Sequence, residues 1–181
     1  MSYEQFRVSV PADELDGVRV FKRDFYDGNQ PEGVPLYTYT ILESDGIHWM
    51  DDSDEEIKGM LPVYEYAKEH ESNTFLLEGL GLGVVIKMLL SLPSTERIDV
   101  VEYDQRVIDL VGPCYPVRIH HADVFDFAKG LTNDTWDVIL HDTMMVVGEN
   151  FAEKSLREAD ELEVLYEGRG HQITWGREFC L

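Results

Sequence analysis

Cysteine, positive charge and long apolar runs are what this chain has least of. There are 2 cysteines among 181 residues, Cys114 and Cys180. They form no metal-ligand spacing and give no sign of a disulfide framework. Lysine and arginine number 15 against 36 aspartates and glutamates, a formal net charge of −21. Such a surface repels a phosphate backbone at long range, so nucleic acid ranks low as a substrate, whereas a cationic small molecule is drawn in. Solubility in a crowded or salty medium accounts for the same charge. No apolar run approaches the length of a membrane span. The start, MSYEQFRVSV, is polar and lacks a secretory apolar core. The expectation is a cytoplasmic enzyme or binding protein without membrane contact. No internal repeat or low-complexity tract interrupts it.

What the chain does have is concentrated between Thr74 and Asp104. Phe75-Leu76-Leu77 is an apolar run suited to a buried strand. Gly79, Gly81 and Gly83 follow at alternate positions, and then an apolar helical segment, Val84 to Leu92, stopped by Pro93-Ser94. A second strand, Ile98 to Val101, ends in Glu102. Strand, glycine turn, helix and strand make one βαβ unit. Bare backbone at the glycines lets a ligand lie close, and the helix after them turns its free N–H groups toward it. An acid about 20 residues beyond the glycines sits where a carboxylate meets a ribose. The unit therefore predicts a nucleoside-containing ligand.

The spacing G-x-G-x-G, rather than G-x-G-x-x-G, resembles the first motif of S-adenosylmethionine-dependent methyltransferases and spermidine synthases. VVEYDQRVIDL (Val100 to Leu110) is similar to the second motif of the spermidine synthase group. HADVFDFA (His121 to Ala128) is similar to the third, and WDVILHD (Trp136 to Asp142) to the fourth strand, which ends at the reaction centre. The resemblance runs from Leu61 to Trp175. It implies an α/β, Rossmann-like methyltransferase sheet in the order 3-2-1-4-5. The chain reaches Leu181 too soon for strands six and seven. It also implies S-adenosylmethionine or its decarboxylated form as cofactor. Gly79, Gly81 and Gly83 would cradle the methionine part, with Glu78 beside them. Glu102 would take the ribose, Tyr103 the adenine face and Asp123 the adenine amino group. Asp142 and His141 would stand at the reacting centre, and no metal is implied.

Two positions depart from the family pattern. Leu77 fills the slot two before the first glycine, where most methyltransferases carry an acid, and Glu78 comes one residue later. Spermidine synthases also have an apolar residue in that slot. They carry a second aspartate shortly after the fourth strand, however, and here Thr143 to Val147 holds no carboxylate before Glu149. Three readings follow: a methyltransferase acting on a small molecule, a polyamine aminopropyltransferase, and a non-catalytic nucleoside-binding or degenerate subunit.

The rest of the chain frames this unit. Residues 1–60 predict a small antiparallel β region, with a hairpin of Leu36 to Leu42 and Ile47 to Met50 about Asp45-Gly46. The acidic run Asp51 to Glu56 reads as a helix start, capped by Ser53 or Asp52, and the helix ends near His70. Residues 61–181 form the nucleotide-binding domain. Further helices are expected at Gln105 to Val111, Val124 to Lys129 and Phe151 to Tyr166. Strands are expected at Pro116 to His120 and His171 to Trp175. The paired His120 and His121 read as structural, since strand neighbours face opposite ways. A last strand at the sheet edge, carrying Ile173 and Trp175 and followed by Phe179, would need cover, so self-association through that edge is expected.

Overall fold

The computed structural model describes residues 3–26, 28–29, 31, 33–142 and 151–175, without the side chains of 151–153. Phe179, Cys180 and the segment from Thr143 to Glu149 lie outside them. Two sheets make up the molecule. The first is antiparallel: β1 (Asp13–Leu15), β2 (Val18–Phe25), β3 (Tyr37–Ser44) and β4 (Ile47–Asp51), in that order. Asp16-Gly17 and Asp45-Gly46 turn its outer hairpins, all four residues having positive φ. Aspartate tolerates that region and glycine is at home in it, which is why these dipeptides set tight hairpins. The sequence predicts the second hairpin. It does not reveal β1, whose three residues are mostly polar, and where it reads a short strand over Val18 to Phe21, β2 runs on to Phe25.

Helix α1 (Asp54–Glu69) leads from this sheet into the next. The Ser53 hydroxyl caps it, accepting the Glu56 N–H at 3.5 Å. Asp52 has a different task. Buried at 1% exposure, it accepts the Val8 N–H and the Thr40 N–H, tying the amino-terminal segment to β3. The helix continues through Pro62, so the boundary expected after residue 60 falls inside it.

The second sheet is parallel, built from β5 (Thr74–Glu78), β6 (Arg97–Glu102), β7 (Arg118–His121), β8 (Val138–His141) and β9 (His171–Thr174). Their spatial order is β7-β6-β5-β8-β9. The crossovers are α2 (Val84–Leu90), α3 (Gln105–Val111), α4 (Val124–Gly130) and α5 (Phe151–Leu165). The strands alternate between two cores. Phe75, Leu77, Ile98, Val100, Val138 and Leu140 face α1 and α2 and share one core with Val18, Val20 and Leu42 of the antiparallel sheet. Leu76, Val101 and Ile139 face the other way, against Ala128, Leu162 and Tyr166 of the α4 and α5 layer. Both faces are covered, as a parallel sheet requires. At the edge, Ile173 and Trp175 pack against the first core of the same chain.

The two sheets are also latched by charge. Arg106 on α3 pairs with Asp104 at 2.7 Å, donates to the Asp16 carbonyl at 2.9 Å and lies 3.6 Å from Asp45. One side chain thus holds both outer hairpins of the antiparallel sheet against the parallel one.

Candidate active site

The carboxyl ends of β5, β6, β7 and β8 open into a cavity of about 520 Å³, roofed by β4 and the start of α1. Ligands in open α/β sheets bind at this end, where the strand order reverses. The glycine turn forms the floor. Gly79 has φ +106, and a Cβ there would meet the Asp142 carbonyl oxygen at 2.7 Å. Gly81 has φ +48, and a Cβ there would run into the Met50 sulfur. At Gly79 a side chain is excluded on steric as well as conformational grounds; at Gly81 the backbone conformation disfavours it, since the flexible Met50 can move aside.

Glu102 organises the turn. It is 7% exposed, and its two oxygens accept the Leu80 N–H at 2.9 Å and the Asp104 N–H at 2.8 Å. Each oxygen keeps lone-pair capacity toward the cavity, which Glu102 lines. Tyr103, 59% exposed, stands beside it. Asp123 lines the same wall while capping α4, accepting the Phe125 N–H at 2.9 Å and the Asp126 N–H at 3.2 Å. Val101, Val124 and Phe125 make that end of the cavity apolar.

Asp142, Glu56, Met50, Trp49 and Trp175 also line the cavity. Burial pushes the Asp142 carboxyl up to about 7, with the Glu102 charge adding to it. Burial likewise raises Glu56 to about 7, helped by Asp142 and Asp51. Two carboxyls of like charge face one cavity and resist ionising together. With Glu102, Asp123 and Glu158 the lining carries five carboxyls among the described residues, and His48 is the one basic side chain among them.

The structure thus gathers six of the expected site residues around one cavity: Gly79, Gly81, Glu102, Tyr103, Asp123 and Asp142. Three others it turns away. Gly83 caps α2 in the left-handed region and has the Tyr115 ring packed on it. Glu78 and His141 point into the α4 and α5 core, because the alternation that aims Leu77 one way aims Glu78 the other. They pair there, with His141 Nδ1 2.6 Å from the Glu78 carboxylate, both essentially unexposed. His141 Nε2 donates to the Gln172 oxygen at 2.9 Å, since Gln172 spends its amide N–H on the Glu163 carbonyl. Burial lowers the His141 imidazole, but Glu78, Gln172 and Glu163 outweigh it and hold it above its ordinary value. His141 is therefore an internal hydrogen-bond partner to Glu78, not a group facing the cavity. His120 and His121 are also occupied, by Asp99 at 3.1 Å and by the Tyr103 carbonyl at 3.0 Å.

Glu56, Met50, Trp49, Phe125, Glu158 and Trp175 line the cavity without having been expected there. Glu56 has a sequence signal, the acidic run Asp51 to Glu56, but in that run helix-start acids and site acids look alike. Among the described residues, no group of three or more His, Cys, Asp or Glu is placed to hold a metal ion. No helix there is long and apolar enough to cross a membrane.

No protein-family model matches the chain, and no curated protein sequence does. Solved structures do. A probable spermidine synthase from Corynebacterium glutamicum superposes with a TM-score of 0.56 at 15% identity, over 91% of this chain and 63% of that one. The fold is class I methyltransferase-like. A putative caffeoyl-CoA O-methyltransferase from Staphylococcus aureus aligns with a TM-score of 0.50 at 12% identity, over 64% of this chain and 55% of that one. The chain therefore spans less than two thirds of the length of either structure. In this methyltransferase-like frame the glycine turn follows the first strand of the parallel sheet, Glu102 closes the second, and Asp142 follows the fourth.

Proposed function

We propose that the chain binds an S-adenosyl sulfonium cofactor in this cavity and transfers a carbon group from it to a small amine-bearing acceptor. The observation that carries the reading is Glu102, locked to the Leu80 amide beside Gly81 with its carboxylate on the cavity wall. Two bare backbone positions, a ribose-height carboxylate and an apolar wall of Val124, Phe125 and Tyr103 suit an adenosine. Asp123 would accept the adenine amino hydrogens through lone pairs that its cap leaves over. When bound, the cofactor supplies an electrophilic carbon next to a sulfonium.

This chain's residues would do the rest. The methyl-transfer reading needs mostly alignment, with Trp49 and Trp175 shaping the acceptor end. Asp142 and Glu56, both near pKa 7, are poised to hold a cationic amine and to take its proton. Among the described lining residues, five carboxyls against one histidine favour a cationic acceptor over a phosphate-bearing one.

A second reading, aminopropyl transfer from the decarboxylated cofactor, gains from Glu56. The family's second carboxylate is absent from Thr143 to Val147, and Glu56 brings one to Asp142 from α1 instead.

Calorimetry with S-adenosylmethionine, decarboxylated S-adenosylmethionine and S-adenosylhomocysteine tests the binding, followed by turnover with an amine panel that includes putrescine. Micromolar binding and a transferred group are expected. Binding without turnover would leave a degenerate subunit, and no binding of any of the three would end the proposal.

A further inference from the structure

The glycine turn is already wired into the protein. Gly79 gives its N–H to the Val101 carbonyl at 2.8 Å, Leu80 to Glu102 at 2.9 Å, and Gly83 to the Leu80 carbonyl at 2.9 Å. The Leu82 N–H goes to a side chain from the other sheet, the Met50 thioether, at 2.9 Å. A thioether is a weak acceptor, a poor match for an amide that an oxygen could take. Met50 descends from β4 onto the bare face of Gly81, where any Cβ would collide with its sulfur. The same side chain lines the cavity, as do Glu56 and Asp142.

We propose that Met50 is the residue that sets which cofactor tail the cavity accepts, by filling the glycine cradle where an α-carboxylate would bind. The inference rests on the adenosyl reading above and, within it, favours the second form, transfer from the decarboxylated cofactor, over methyl transfer. A carboxylated tail reaching Gly81 needs a donor, and Met50 stands on the Leu82 amide. Glu56 and Asp142 line the same cavity and, when ionised, repel a carboxylate. A ligand without that carboxylate leaves the Met50 contact in place. Selectivity here comes from a built-in occupant as much as from charge. The unbranched, flexible Met50 side chain fills the gap without becoming a fixed wall.

The test compares two neutral-sulfur ligands, 5′-methylthioadenosine and S-adenosylhomocysteine, by calorimetry on the wild-type chain, Met50→Leu and Met50→Ala. The wild-type chain is expected to bind the short ligand at least tenfold more tightly. Met50→Ala exposes the Leu82 amide and should tighten S-adenosylhomocysteine about five- to tenfold, with methylthioadenosine changed less than twofold. Met50→Leu keeps the bulk and should keep the wild-type preference. Amide hydrogen exchange at Leu82, faster in Met50→Ala than in the wild-type chain, reads the contact without any ligand. An unchanged preference in Met50→Ala, or equal weakening of both ligands, overturns the proposal while leaving the adenosyl reading intact. Failure of both ligands to bind the wild-type chain removes the adenosyl reading, and this inference with it.

Discussion

His141 and Glu78 meet at 2.6 Å on adjacent strands, inside the core and behind the cavity floor. Removing one member strands a charge where water cannot reach, which typically costs about 3–5 kcal/mol. Glu78→Gln and His141→Gln should each lower the unfolding free energy by that order, read from urea titrations. The double variant should lose less than the sum, because the partners compensate each other. Additive losses would show that the two do not act as a pair.

The same pair sets a pH trend. The His141 pKa is raised in the folded chain, so its stabilisation is full below the unfolded value near 6.5 and fades as pH rises through the folded one. Glu56 and Asp142 are raised to about 7, so the stability they give while protonated in the folded chain is lost as pH climbs from their ordinary values of roughly 4 to about 7, and is level above that. All three have one sign, and Tm should fall from pH 5 to pH 8, the carboxyls acting over the lower part of that span. Glu56→Gln should flatten the fall below pH 7, read by scanning calorimetry across that range.

Ligand binding should run the other way. A cation favours ionised Asp142 and Glu56. One group near pKa 7 gives about a tenfold gain in affinity between pH 6 and pH 8. An uncharged adenosyl thioether should stay within about twofold. Titration calorimetry with a sulfonium and a thioether at the two pH values separates them, and equal slopes would deny the carboxyls a role.

Gly79→Ala puts a methyl 2.7 Å from the Asp142 carbonyl at a φ that alanine resists. Strain of this kind costs about 1–3 kcal/mol. Thermal unfolding should show that loss, and calorimetry should show adenosyl binding weakened at least tenfold, since the turn must shift away from Asp142.

Glu102→Gln replaces an acceptor with a group that must donate. One of the two amides, Leu80 or Asp104, loses its partner at about 1–3 kcal/mol. Adenosine affinity should drop at least tenfold, whereas Glu102→Asp, which keeps the charge but draws it back, should fall between.

The βαβ unit was legible because hydrophobic period, glycine spacing and a terminal acid agreed over thirty residues. Strand ends were less so. β7 begins at Arg118 rather than Pro116, since proline cannot donate to the ladder. Which residues face the cavity was legible where the motif is backbone, as at Gly79 and Gly81, and where a carboxylate stands at or just past a strand end, as at Glu102, Asp123 and Asp142. Glu78 and His141 read as site residues because buried and cavity-facing acids share one sequence signature, and only the pleat separates them. The whole roof was illegible. Met50 and Glu56 reach the cavity through the packing of one sheet on another, which no local pattern encodes.

The ladder between β3 and β4 skips at Leu42 and Glu43, which pair with Met50 and His48 and leave Trp49 as an extra residue. A regular strand would send His48, Trp49 and Met50 to alternating sides, yet all three border the cavity. The chemistry over the glycine turn therefore depends on counting as well as on identity. Removing Trp49 would restore perfect pairing and, by doing so, swing a neighbour out of reach. The loss of one amino acid here would reshape the ceiling more than exchanging any one of them.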